Sequence, residues 1–319
     1  MDIEVLICTH NRSGLLRRTI RSLNDANRPA SASVSILVAA NACTDDTAEA
    51  LATYQAEAPG KGWLPLRVVE VPTVGKSVAL NHAIPLVHAA AIAFVDDDHR
   101  VAPGYLAAVA SALQAHPQVN LFCGRIVPDW DGSEPAWVHH DGPYRIYPLP
   151  IPRFDQGEET RLLPPGTATP GGGNLFFRTA LFERVGPFST DLGPVGHNLT
   201  GGEDIVWVRR ALALNEPLLY VPAATQYHYV DATRLRLGYV IRKAYERTAS
   251  SMRASPDVGA ADRLPLYMFR KVVSYAASAA FSVSSDRRRY YLVRTAASLG
   301  ELRGFLHRRS EARMGIERV

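Results

Sequence analysis

A chain of 319 residues with 47% hydrophobic side chains and a net charge of +4 can hold one large or two modest domains with buried cores. Its ordinary apolar content excludes a disordered or fibrous protein. Cys8, Cys43 and Cys123 form no CxxC pair, so neither a zinc framework nor a disulfide scaffold is indicated, and they read as thiols in a reducing compartment. MDIEVLICTHNR lacks a leader-like start, and no apolar run reaches the ~18 residues of a membrane span. The expectation is a cytoplasmic protein, with a peripheral seat at the inner face of the plasma membrane left open. The charge is split along the chain: from Tyr229 onward 18 Lys and Arg stand against 8 Asp and Glu (+10), which leaves 17 against 23 (−6) in residues 1–228. That asymmetry predicts two regions with different partners, an acidic one suited to a metal and a basic one suited to anionic lipid or a phosphate-bearing acceptor.

In chain order, EVLICTH reads as a first buried strand, and GLLRRTIRSLNDA as a helix with Leu15, Leu16, Ile20 and Leu23 at helical spacing. VSILVAA is a second strand; Thr44 or Asp45 then offers a cap for the helix TAEALATYQAEA. LRVVEVP is a third strand, VGKSVALNHAIPLVHAA a helix, AIAFVDDD a fourth strand, and APGYLAAVASALQAH the next helix. Strands separated by helices predict a mostly parallel sheet covered on both faces. In such sheets ligands sit at the carboxyl ends of the strands, where THNR, NACTDD and DDDH fall. Residues 128–173 are rich in Pro, Gly and aromatics and read as loops and short strands shaping a cleft. GNLFFRTALFERVGPF resumes regular structure, GGEDIVWVRRALALN reads as a helix behind a glycine turn, and LLYVPAATQYHYV as a strand. Residues 233–254 and 265–309 read as basic helices.

Asp96, Asp97 and Asp98 end an apolar strand. Adjacent carboxylates repel by about 1 kcal/mol in water and by more in a cleft, so a folded cleft removes the repulsion through a raised pKa or a bound cation, whereas a solvated turn tolerates it. Strand alternation would turn Asp97 away from its two neighbours. On the residues alone, Arg12 and Lys76 also fit helix starts, Asp45 a plain N-cap, and Glu203 with Asp204 a helix N-terminus favoured by the macrodipole.

Six segments in order, ICTHNR, NACTDDT, GKSVALNHAI, AFVDDD, GGGNLFFRTALFERVGPF and GGEDIVWVRRAL, resemble the inverting family 2 glycosyltransferases of the GT-A fold, over most of residues 3–228. The resemblance implies an α/β nucleotide-diphospho-sugar transferase fold in residues 1–228, with 229–319 as a basic helical extension. It implies Mn²⁺ or Mg²⁺ at Asp98, Asp96 near the ribose or the metal, and His228 as a metal or phosphate contact. For the nucleotide it implies Thr9, Asn11, Arg12, Asn41, Asp45, Lys76, Asn81, Asp96 and Asp97. Where the family usually has an acidic residue that reads the base, this chain has Ala40, so the base is not specified. Asp204 is implied as the base that deprotonates the acceptor, Glu203 as its neighbour orienting the acceptor, and Gly172, Gly173, Asn174 and Trp207 as sugar or acceptor contacts. The implied reaction moves a sugar from a nucleoside-diphosphate sugar, UDP first, to a hydroxyl on a glycan, lipid-linked or small-molecule acceptor, as in bacterial polysaccharide or glycolipid assembly. A nucleotidyltransferase is the alternative, although no GxGTRx₄PK-like loop follows the first strand; a non-catalytic sugar-nucleotide binder is the other. For the basic C-terminal helices, RKAYERTASSMR and DRRRYYLVR beside PLYMFRKVVSYAASAAFSV suit an anionic membrane surface or a solvated appendage; no nucleic-acid module is recognisable.

Overall fold

The computed structural model describes residues 1–164, 166–190, 202–254 and 264–313; Gly201 of the GGED motif lies outside them. The chain forms two compact units: unit 1 is Met1–Asp129 with Pro152–Tyr229, and unit 2 is Trp130–Ile151 with Val230–Val319.

Unit 1 begins with β1 (Asp2–Thr9), α1 (Ser13–Asp25), β2 (Ser33–Asn41), α2 (Thr47–Lys61), β3 (Leu66–Val71) and α3 (Lys76–Ala83). It continues with β4 (Ala91–Phe94), β5 (His99–Val101), α4 (Tyr105–Ala115), β6 (Leu121–Asp129), β7 (Arg161–Leu162), β8 (Leu175–Arg178), α5 (Ala180–Val185), α6 (Glu203–Ala213) and β9 (Leu218–Tyr229). These strands make one nine-stranded sheet in the order β3-β2-β1-β4-β8-β6-β9-β5, with β7 on β9. The strands β3, β2, β1 and β4 run parallel, whereas β8 is antiparallel to both β4 and β6. Both faces are covered, as the βα alternation predicts: Ile3, Val5 and Ile7 of β1 point into one apolar cluster with Leu16, Ile20 and Leu23 of α1. Leu6, between them, points into the other cluster, with Leu80 of α3 and Trp207 of α6. This is the α/β architecture expected from the sequence.

Three departures have local causes. The third helix stops at Ala83 and continues only as a 3₁₀ turn, Ile84–Leu86, because Pro85 lacks the N–H that would bond back to Asn81. The fourth strand ends at Phe94, so the carboxylate triplet lies in the turn before β5, closed by the His99 N–H donating to the Asp96 carbonyl (3.0 Å). Strand alternation therefore does not govern Asp97. The strand β6 has no counterpart among the predicted strands, although it sits centrally between β8 and β9.

Unit 2 contains α7 (Leu237–Ala254), α8 (Leu266–Ala280) and α9 (Ser285–Arg313). Gly300 and Gly304 of α9 press against α7: a Cβ on either would collide with the carbonyl oxygen of Tyr245 or Ala249. Thr248 Oγ1 donates across the same contact to the Ala297 carbonyl (2.7 Å). A small apolar cluster of Ile146, Val240, Ala244 and Val293 joins these helices to the segment around residue 146. Among the described residues no helix is long and apolar enough to cross a membrane.

Candidate active site

Because β2, β1 and β4 are parallel and adjacent, their carboxyl ends deliver NACTDD, THNR and DDDH to one edge of the sheet. The starts of α3 and α6 bring Lys76 and Asp204 to the same edge, and the end of β9 brings His228. Together they line a cavity of about 300 Å³.

Each carboxylate of the triplet meets a cation, which is how their mutual repulsion is relieved. Asp96 Oδ1 pairs with Lys76 Nζ at 2.7 Å. Burial pushes the Asp96 carboxyl up, but Lys76, with His99 and His228, outweighs it and holds the group well below the usual carboxylate range. Burial works against the charge of Lys76 as well, yet Asp96, Asp204 and Glu203 keep it firmly protonated. Asp97 is 5% exposed and faces inward, contrary to the expectation that it turns away. It accepts from Thr9 Oγ1 (2.8 Å) and Arg12 Nη1 (3.1 Å). Burial, then Asp98, push its pKa up to about 6 against the pull of Arg12. The same Arg12 Nη1 reaches Asp98 Oδ2 at 3.1 Å, so one guanidinium bridges two carboxylates. Enclosed and paired with Lys76 and Arg12, the triplet is not a solvated strand end.

Asp98 stands with His99 and His228, and one ligand atom from each lies within 4.8 Å of the others. His228 Nε2 is 3.6 Å from Asp98 Oδ2, and His99 Nε2 is 3.8 Å from Asp98 Oδ1. The antiparallel register of β5 and β9 sets His99 directly opposite His228. Gln226 donates its amide to the Phe94 carbonyl and the Tyr105 hydroxyl (both 2.9 Å), which turns its carbonyl toward His99 Nδ1 at 2.6 Å. That bond places a proton on Nδ1 and leaves Nε2 as the nitrogen facing Asp98. Burial lowers the pKa of His228, favouring the neutral imidazole, and its Nδ1 is buried without a hydrogen-bond partner. A carboxylate and two imidazoles within this distance fit a divalent cation. The group includes Asp98 and His228 as expected; His99 stands where Asp96 was expected, since Asp96 is engaged by Lys76.

At the start of α6, Asp204 Oδ2 accepts a short hydrogen bond from the Gly172 N–H. A Cβ at Gly172 would stand 2.9 Å from Asp204 Cβ, and one at Gly173 would stand 2.7 Å from Asp96 Oδ2. The glycine run thus lets its backbone press between the two carboxylates. Glu203 is buried, its pKa raised by burial and by Asp204, and its Oε2 accepts from the Gly202 N–H (3.0 Å).

Other predicted residues are placed differently. Asn41 lines the cavity, but its amide binds the Val71 and Thr73 carbonyls and the Gly75 N–H, which positions the loop carrying Lys76. Asn11 Oδ1 accepts from the Thr44 N–H (2.6 Å), and Asp45 Oδ1 from the Thr47 N–H (3.2 Å); the N-cap expected at Asp45 falls instead on Asp46, whose side chain makes no cap bond. These bonds tie two loops together beside the cavity. Asn81 bonds the backbone of Phe188, and Asn174 Nδ2 bonds the carbonyls of Arg125 and Ala224. Trp207 is fully buried, stacked on Phe188 at 5.2 Å with its Nε1 on the Gly186 carbonyl, so it offers no wall to an acceptor. Besides His99, the sequence reading lacked His10, whose Nδ1 lies 2.6 Å from the Asn41 carbonyl. Only its place beside Thr9 hinted at it.

The model of Glycosyl transferase family 2 matches residues 4–186. No curated protein matches the sequence significantly. Among solved structures, TarS of S. aureus aligns at 15% identity and TM-score 0.52, covering 90% of this chain but only 46% of TarS. Its fragment 1–349 in complex with UDP aligns at 16% identity and TM-score 0.54, with 99% of this chain and 92% of the fragment covered. The mannosyltransferase PcManGT from Pyrobaculum calidifontis, in complex with GDP-Man and Mn²⁺, aligns at 16% identity and TM-score 0.53, with 93% and 86% covered. At these identities the structures speak to the fold, which they share.

Proposed function

This chain belongs to glycosyl transferase family 2, and from that premise we propose that it moves a sugar from a nucleoside diphosphate, UDP first, to a hydroxyl acceptor with inversion. The observation that carries this reading is the meeting of Asp98, His99 and His228 with Lys76, Arg12 and Asp204 on one cavity. Asp204 takes the proton of the acceptor hydroxyl as its oxygen attacks the anomeric carbon. The bond from that carbon to the β-phosphate breaks, and the diphosphate leaves with the electron pair. Lys76 and Arg12 lie where they can offset its charge. A divalent cation held by Asp98, His99 and His228 would supply Lewis-acid stabilisation of the departing diphosphate. With two imidazoles in the ligand set, Mn²⁺ fits better than Mg²⁺, which prefers oxygen ligands.

The UDP complex of the TarS fragment and the GDP-Man complex of the mannosyltransferase make both bases worth testing. Ala40 pairs in register with Glu70 of β3, and both line a groove of about 660 Å³. We assign Glu70 as the carboxylate that stands in for the one missing at Ala40. The acceptor we propose is a hydroxyl on a glycan, a lipid-linked or a small-molecule acceptor, in polysaccharide or glycolipid assembly. Leu266, Phe269 and Val273 along α8, with Phe281 and Val283 beyond it, are exposed. With Arg270, Arg287 and Arg288 nearby in sequence, they support a peripheral contact with an anionic membrane.

The test is calorimetric titration with UDP, GDP, dTDP and CDP, each with Mn²⁺ and with chelator. Manganese-dependent binding of one diphosphate is expected, weakened by Glu70→Ala. No binding of any would remove the nucleotide site. Pyrophosphate release from a nucleoside triphosphate would instead revive the nucleotidyltransferase.

A further inference from the structure

We propose that unit 2 carries a second binding site, for the phosphate group of a phosphate ester, in the pocket formed by α7, α9 and residues 145–150. The pocket is about 150 Å³, too small for the few hundred Å³ of an ordinary organic ligand and suited to a compact group. Among the described residues four cations line it, Arg145, Lys243, Arg247 and Arg294, and no carboxylate does. Its floor is apolar, built from Ile146, Val240, Ala244 and Val293, which strengthens any charge pairing made above it.

The contacts these cations make are weak substitutes for an anion. Arg145 lies 3.6 Å from Asp141, whose side chain is 92% exposed, and over the Tyr147 ring at 4.8 Å. Arg247 reaches the Pro148 carbonyl only at 3.5 Å. Arg294 donates to the Tyr275 hydroxyl at 3.1 Å. The carboxylate closest in sequence to Lys243, Glu246, is taken by Arg242 at 2.7 Å. Burial lowers the pKa of Lys243, and Arg234, Arg247 and Arg242 lower it further against Glu246. Burial lowers that of Arg247 as well. Like charges that are partly desolvated and only weakly countered, by the exposed Asp141 and the shared Glu246, are what a phosphate relieves, since its oxygens accept several guanidinium and ammonium bonds at once. The site lies wholly within unit 2, and its anion binding stands whether or not the transfer reaction runs as proposed.

The test is titration of the full chain with inorganic pyrophosphate in the presence of chelator, followed by calorimetry. Lys243→Gln and Arg247→Gln should each weaken binding at least ~10-fold, about 1.4 kcal/mol, while Lys243→Arg binds as the unaltered protein does. Manganese-dependent UDP binding and the melting temperature should be the same in all, which separates loss of the site from loss of the fold. A parallel arm sediments the protein with phosphatidylglycerol or phosphatidylcholine vesicles. Loss confined to pyrophosphate assigns the pocket to a soluble phosphate ester. A matching loss of phosphatidylglycerol binding assigns it to a lipid phosphate. Identical behaviour of the unaltered protein and both Gln variants in both arms would overturn the proposal.

Discussion

In unit 1 the cations around the sheet end on carboxylates: Arg12 on Asp97 and Asp98, Lys76 on Asp96, Arg67 on Glu4 at 2.9 Å and Arg100 on Asp129 at 2.7 Å. In unit 2 Arg242, Lys271 and Arg289 also reach carboxylates, but Arg287 lies over Tyr144 and Tyr291, Arg294 over Tyr275 and Tyr290, and Arg303 over Tyr245. A ring face attracts a cation by roughly 0.5–2 kcal/mol but does not neutralise it. The difference teaches that the two units answer the same problem with different reserves. Unit 1 places its acidic surplus in a charged site of its own, whereas unit 2, with its surplus of Lys and Arg, has fewer carboxylates than cations.

That contrast can be broken or sharpened, beginning with the largest effect. Asp204→Asn should lower transfer about 10²–10⁴-fold, the range of a lost general base, with UDP affinity in calorimetry unchanged; undiminished turnover would place the base elsewhere. Gln226→Leu removes the acceptor of His99 Nδ1 and should raise the Mn²⁺ concentration needed for half-maximal activity about 10–100-fold. An unshifted manganese curve would remove His99 from the ligand set. Gly304→Val forces a side chain against the α7 backbone and should destabilise unit 2 by about 1–3 kcal/mol. Thermal denaturation reads that loss, and UDP binding by unit 1 should survive it.

The smallest effect is in pH. The pKa of Glu203 is raised in the fold, by burial first, so charging it opposes folding. Its penalty is absent below the ordinary carboxylate range, sets in as pH rises through that range, and is complete above the raised folded value. Glu203→Gln should therefore increase the melting temperature near pH 8 and leave it unchanged near pH 4. An equal shift at both would mean that packing, not charge, is at issue.

Much of unit 1 was legible along the chain because its signals are local. Leu16, Ile20 and Leu23 share a helix face at the spacing read from the sequence, and all three are buried. The apolar runs of β1 and β2 are buried on both faces, which is why they read as continuous rather than alternating. Asp98 and His228 are drawn into one cluster as expected. His99 was not anticipated, because its place depends on pairing with a strand that begins more than a hundred residues later. Trp207 misled for the opposite reason: its position in the first turns of α6, near Asp204, suggested the site, but the face it occupies is set by Phe177 and Phe188. Nor does anything local to Trp130–Ile151 announce that it clusters with Val230–Val319.

By itself the sequence determined the alternation of strands and helices, the edge of the sheet at which the polar motifs gather, and the division of charge between the two parts of the chain. Each of these follows from periodicity or composition within a short window. Only the tertiary structure decided which charges meet. Asp96 goes to Lys76, Asp97 turns inward to Thr9 and Arg12, His99 joins Asp98 and His228, and four cations of unit 2 share one pocket. The physical reason is that strand register and helix packing bring together residues distant in the chain, and the energy of a charge depends on what surrounds it rather than on what precedes it in sequence.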